Sequence, residues 1–143
     1  MAEFTYNPVQ EVAIGGNVIL NSSISCSKGY VLHRNESGLV TLRGIVNNPC
    51  GRFARYRVQF DANIAVPTGE AAGPISVSVA IGGEALPTSN AIVTPTVANA
   101  YFNVVSFAII DGPAGCCNTI AIENTSTIPI NVQNANLEVT RIA

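Results

Sequence analysis

Few residues in this sequence carry side chains suited to catalysis or metal binding. The single histidine, His33, could serve a Ser-His-Asp or Cys-His arrangement. No nucleophile elbow accompanies it, and its place at a strand end suits a hydrogen-bonded surface histidine better. A metal site of the cupin kind needs several histidines, so one argues against that enzyme class. The four cysteines, Cys26, Cys50, Cys116 and Cys117, have no Cys-x-x-Cys spacing. Adjacent cysteines on a strand point to opposite faces, which works against shared zinc ligation. Buried reduced thiols are the expectation, with a disulfide formed after release from the cell as the alternative. Nine acidic residues are scattered and offer no particular pair for glycoside hydrolysis. The sequence thus predicts no catalytic residue, no metal and no cofactor, and a protein that is not an enzyme.

One charged cluster stands out. Arg43, Arg52, Arg55 and Arg57 are four of the seven basic residues, and they form a candidate contact for an acidic partner. Arg55 and Arg57 fall on the polar set of an alternating segment, where solvated charge is the ordinary expectation.

The elements that must position these groups are strands. Helical periodicity is absent and period-2 alternation is frequent. From Arg55 to Ile64, Tyr56, Val58, Phe60, Ala62 and Ile64 face one way, and Arg55, Arg57, Gln59, Asp61 and Asn63 the other. Ile75, Val77, Val79 and Ile81 alternate with Ser76, Ser78, Ala80 and Gly82 before the Gly82-Gly83 turn signal. Further strands are predicted over 18–20, 30–33, 39–46, 91–94, 101–110, 119–123, 128–132 and 137–142. Turn clusters separate many of them: Gly15-Gly16, Asn35-Glu36-Ser37-Gly38, Asn47-Asn48-Pro49, Pro67-Thr68-Gly69, Asp111-Gly112-Pro113 and Asn124-Thr125-Ser126. About ten short strands read as an antiparallel sandwich or barrel.

The segment from Tyr101 to Ile110 departs from simple alternation, because both of its sets are largely apolar. One face can enter the sandwich core, which leaves the other for a neighbouring subunit. Tyr101, Phe102, Val104, Val105, Phe107 and Ile109 are therefore the candidate subunit interface, and Tyr56 and Tyr101 are expected to be buried.

At 143 residues the chain, residues 1–143, is expected to form a single domain able to bury a core without metals or disulfides. Its 48% hydrophobic content does not gather into a run of about 18 residues, the length a membrane-spanning helix requires. Charged residues are only 11% of the chain, against roughly 25% in average soluble domains. A folded monomer of this size exposes roughly 7,000 Å², so there is about one charge per 440 Å². A surface so poor in charge is expected to be covered in part by another copy or another protein. The net charge of −2 gives no footprint for nucleic acid. The beginning of the sequence lacks the basic start and apolar stretch of a secretion signal, which suggests synthesis and assembly in a cytosol. The glycosylation motifs at Asn21, Asn35 and Asn124 would then meet no modifying machinery.

Across its whole length the chain resembles a tumour-necrosis-factor-like jelly roll, the fold of complement globular heads, of the bacterial and bacteriophage kind. The segments that carry the resemblance are Val12-Ala13-Ile14-Gly15-Gly16, Gly51-Arg52-Phe53-Ala54-Arg55-Tyr56-Arg57-Val58, Pro74-Ile75-Ser76-Val77-Ser78-Val79-Ala80-Ile81-Gly82-Gly83-Glu84 and Ile130-Asn131-Val132-Gln133-Asn134-Ala135-Asn136-Leu137. What the resemblance implies is an all-β antiparallel jelly-roll sandwich that forms a homotrimer, used as a structural or receptor-contacting head. Spore-surface members follow collagen-like stalks, and no Gly-x-y repeat is present here. The resemblance therefore points to a bacteriophage virion component of the capsid-decoration or head-fibre type, assembled in the host cytoplasm and displayed on the virion surface beside other virion or surface proteins, with no nucleic acid or membrane partner. Two alternatives remain: a module that recognises a surface carbohydrate or a receptor, and a spore-surface head domain.

Overall fold

Two antiparallel sheets enclose one continuous apolar core, and alternation decides which side chains enter it. The computed structural model describes residues 2–24, 30–33, 36–44, 52–115 and 117–142. In chain order the strands are β1 (Ala2–Tyr6), β2 (Gln10–Val12), β3 (Asn21–Ile24), β4 (Val31–His33), β5 (Val40–Arg43), β6 (Phe53–Ala65), β7 (Ile75–Ile81), β8 (Glu84–Ala85), β9 (Ala91–Val93), β10 (Phe102–Pro113), β11 (Cys117–Asn124) and β12 (Ile130–Arg141). The first sheet runs β10-β6-β12-β1-β3, with β2 also paired to β12. The second runs β4-β5-β11-β7-β8, with β9 also paired to β7. The expected all-β antiparallel jelly-roll sandwich is the observed architecture.

The predicted inward set of β6, namely Tyr56, Val58, Phe60, Ala62 and Ile64, is buried, and it meets Leu137 and Val139 from β12 and Phe4 from β1. From the facing sheet come Val40 and Leu42, Ile75, Val77 and Val79, and Ile120 and Ile122. At about 25 cal/mol per Å² of apolar surface, burial of such side chains is the main force holding the sheets together. Tyr56 brings a hydroxyl into this core and donates it to the Arg43 carbonyl oxygen at 2.6 Å, so the polar tip is satisfied.

Several boundaries differ from the sequence reading. Asp111-Gly112-Pro113 does not turn the chain but completes β10, in register with Arg55, Ala54 and Phe53. β10 ends its sheet, and an outer strand tolerates a proline that donates no ladder hydrogen bond. The segments expected over 128–132 and 137–142 are one strand, β12, interrupted by a register shift between Gln133 and Asn136. Within that bulge Asn134 takes φ 57°, a left-handed conformation that asparagine accepts more readily than most residues. Residues 18–20 form no strand, although Val18 and Leu20 are fully buried.

Ser76 and Ser78 alternate with the core residues of β7, yet the strand is buried on both sides. The loop after β11 and the 3-10 turn Pro87–Ser89 with its following residue supply the cover. Ser78 donates to Asn90 Oδ1 at 2.7 Å, Thr125 donates to the same oxygen at 2.8 Å, and the Ser76 and Thr125 hydroxyls lie 2.6 Å apart. The hydroxyls are thus satisfied by protein partners.

Candidate functional site

The outer face of the first sheet has two chemistries side by side. On β10 the inward set is Val104, Ser106, Ala108 and Ile110, all buried. Its outward set leaves Val105 55%, Phe107 48% and Ile109 53% exposed. Directly beside these three on β6 stand Asp61, Gln59 and Arg57. Beyond them on β12 come Asn136, Glu138 and Thr140, and on β1 Thr5 and Glu3. An apolar column therefore runs along the outermost strand next to polar columns. No charged side chain interrupts the apolar column between Val105 and Ile109.

Of the six residues proposed from sequence as an interface, Tyr101, Val105, Phe107 and Ile109 share this outward face, and Phe102 is exposed at the start of β10. Val104 belongs elsewhere. It is 6% exposed and packs in the core, because alternation turns it inward between its two outward neighbours. Tyr101 was also expected to be buried and is 38% exposed.

The four arginines do not form one patch. Arg55 and Arg57 share the outer face of β6, Arg52 is exposed just before that strand, and Arg43 belongs to β5 in the other sheet. Arg55 makes a bidentate pair with Asp111, at 2.6 Å from Nε to Oδ1 and 2.9 Å from Nη2 to Oδ2. The hydrogen bonds from Arg55 hold the Asp111 carboxyl below the usual carboxylate range. Asp61 shifts the other way, raised first by partial burial and further by the negative charge of Glu3.

A row of asparagines crosses the same face at one end of the apolar column. Asn103 on β10 donates to Asn63 Oδ1 on β6 at 3.3 Å, Asn63 donates to Asn134 Oδ1 on β12 at 3.1 Å, and Asn134 donates to Asn7 Oδ1 just after β1. Sequence reasoning missed this row and also the Arg55–Asp111 pair. Their members lie up to 127 positions apart and meet only through strand register.

The groups considered for chemistry are dispersed or already engaged. The ring of His33 packs 4.7 Å from that of Phe4, and its Nε2 lies 2.9 Å from the Ser37 carbonyl oxygen. Among the described residues, no three His, Cys, Asp or Glu side chains gather into a metal site. Cys117 opens β11 and is exposed, which corrects the expectation of a buried thiol there. Cys26, Cys50 and Cys116 lie outside the described residues. Asn124 is 1% exposed, so its glycosylation motif is closed by the fold. Among the described residues no helix is long and apolar enough to cross a membrane.

Comparison with solved structures places this architecture in a known class. The chain superimposes on the globular domain of zebrafish complement 1qA protein with a TM-score of 0.68 at 14% identity, covering 99% of this chain and 96% of that one. Against the Eiger TNF of S. frugiperda the TM-score is 0.70 at 13% identity, covering 99% and 91%. Murine APRIL gives 0.59 at 11% identity, covering 96% and 98%. The fold is a TNF- and C1q-like jelly roll. No protein-family model matches the sequence, and no curated protein matches it.

Proposed function

We propose that this chain is a non-enzymatic structural head that assembles into a homotrimer through the outer face of its first sheet. The observation that carries the reading is the apolar column of Val105, Phe107 and Ile109 on the outermost strand β10. Contiguous apolar surface of this kind on a charge-poor chain marks a protein-protein contact. Exposed Ile92 on β9, which packs against β10, and exposed Phe102 add further apolar surface. The likeness to TNF and C1q heads supports the same arrangement. Light scattering on purified protein is expected to give about three times the 14.9 kDa chain mass. A monomer at micromolar concentration would remove the reading.

Within this reading the chain decorates a bacteriophage particle, as a capsid-decoration or head-fibre protein with other virion proteins as neighbours. The scarcity of charged residues, 11% of the chain, suits a surface covered by neighbouring proteins. Antibody labelling of intact particles by electron microscopy tests it, and particles that carry no label would exclude it.

A second reading is a module that binds a surface carbohydrate or a receptor. It is favoured by an open depression of about 400 Å³ on the other sheet, lined by Leu32, His33, Ser37, Leu39 and Thr41. A glycan array that returns a specific sugar, with binding lost in Thr41→Trp, would establish it. An empty array would leave the receptor form to be tested by binding to host cells.

A further inference from the structure

The asparagine row has a direction. Each amide donates toward β1, so Asn103 ends the row with an exposed Oδ1 acceptor, and Asn7 ends it with an exposed Nδ2 donor. No other hydrogen bond engages these two atoms among the described residues. Asn103 also stands between Tyr101 and Val105 on the outward face of β10, at the end of the apolar column. A copy that covers the column therefore takes Asn103 Oδ1 out of water, and a buried carbonyl oxygen without a donor is costly. The neighbour must supply that donor. Rotation about an axis along the strands keeps each row at the same level, and the exposed amide donor there is Asn7.

Resting on the self-association reading, we infer that the amide row continues from copy to copy, with Asn7 Nδ2 of one copy donating to Asn103 Oδ1 of the next. Each copy keeps one donor end and one acceptor end, so the contact can repeat head-to-tail around a closed ring. The row thus adds a polar contact at one level of the interface, while the apolar column supplies the driving force.

The test is a double variant, Asn7→Cys with Asn103→Cys, oxidised and compared with wild type and both single variants on non-reducing gels. Within one chain the two positions are separated by three strand spacings, about 14 Å, beyond the roughly 7 Å limit between disulfide-linked Cα atoms. With the four native cysteines replaced by serine in every variant, bridges between the introduced positions can form only between chains. The expected result is covalent species up to three chains in the double variant alone. Products that stop at two chains, or equal cross-linking in either single variant, overturn the inference. So does no cross-linking above wild type when light scattering shows the oligomer intact. A monomeric wild-type protein would instead remove the self-association reading itself. Asn7→Asp gives an independent check, because its Oδ1 still accepts from Asn134 while the outward donor is gone. It is expected to weaken assembly about tenfold with an unchanged melting temperature at monomeric concentration, and unchanged assembly would count against the contact.

Discussion

Phe107 and Gln59 stand directly opposite each other across the β10–β6 pair, one apolar and one polar on the same outward face. The boundary between a surface that seeks cover and one that does not therefore runs between two adjacent strands. Phe107→Glu is expected to abolish the oligomer while leaving the isolated fold intact, since the side chain is half exposed in the single chain. An unpaired carboxylate buried at an interface costs several kcal/mol. Arg57→Ala is expected to leave both mass and melting temperature nearly unchanged, because exposed charges contribute little, and Arg55→Ala to leave the mass unchanged with a small loss of melting temperature from the broken bidentate pair with Asp111. Light scattering with thermal melts checks all three. An intact Phe107→Glu oligomer beside a broken Arg55→Ala one would invert the assignment.

Val104 and Val105 are neighbours with opposite fates. Val104→Ala opens space in the core and is expected to cost about 2 kcal/mol of folding stability, with little direct effect on subunit affinity. Val105→Ala is expected to do the reverse. Urea titration at monomeric concentration, paired with a dissociation constant from sedimentation, separates the two.

Asn124 is the most heavily engaged buried polar side chain described. Its Nδ2 lies within 3.2 Å of the Val12, Ala13 and Ile128 carbonyl oxygens, and its Oδ1 accepts from the Ser126 amide at 2.9 Å. Asn124→Ala removes all four of these contacts from a buried position, while the Ala13 carbonyl keeps its bond from the Gly16 amide. A loss of about 3 kcal/mol is expected, read from the shift in urea midpoint. A shift below a third of that would mean that water replaces the lost contacts.

Asp61 and Asp111 are expected to tilt the pH dependence in opposite directions. The Asp61 carboxyl is raised on folding, so its contribution is full below the ordinary carboxylate value and lost as pH rises through the raised one. The Asp111 carboxyl is lowered, so its contribution is present above the ordinary value and lost as pH falls through the depressed one. From pH 3 to pH 7, Asp61→Asn should gain melting temperature relative to its parent and Asp111→Asn should lose it. Measuring both in the Phe107→Glu background keeps association out of the comparison. Equal slopes for the two variants would contradict the assignment.

By itself the sequence determined the strand periodicities and their apolar sets. The alternation from Arg55 to Ile64 placed Tyr56, Phe60 and Ile64 in the core. The Gly82-Gly83 pair, with φ of 59° and 87°, turned the chain where expected, since positive φ at two successive residues is favoured there by glycine. The doubly apolar run on β10 was visible as a strand with a surplus face. Local pattern gives the period of a strand, but its partners and register are set by residues far away in the chain. Only the tertiary structure decided that Val104 rather than Val105 turns inward, and that Ser76 and Ser78 lie under cover. It also carried Asp111 into β10 opposite Arg55, and aligned Asn103, Asn63, Asn134 and Asn7 in one row. Each of those outcomes depends on which strands are paired and on the bulge in β12, and no short stretch of sequence contains that information.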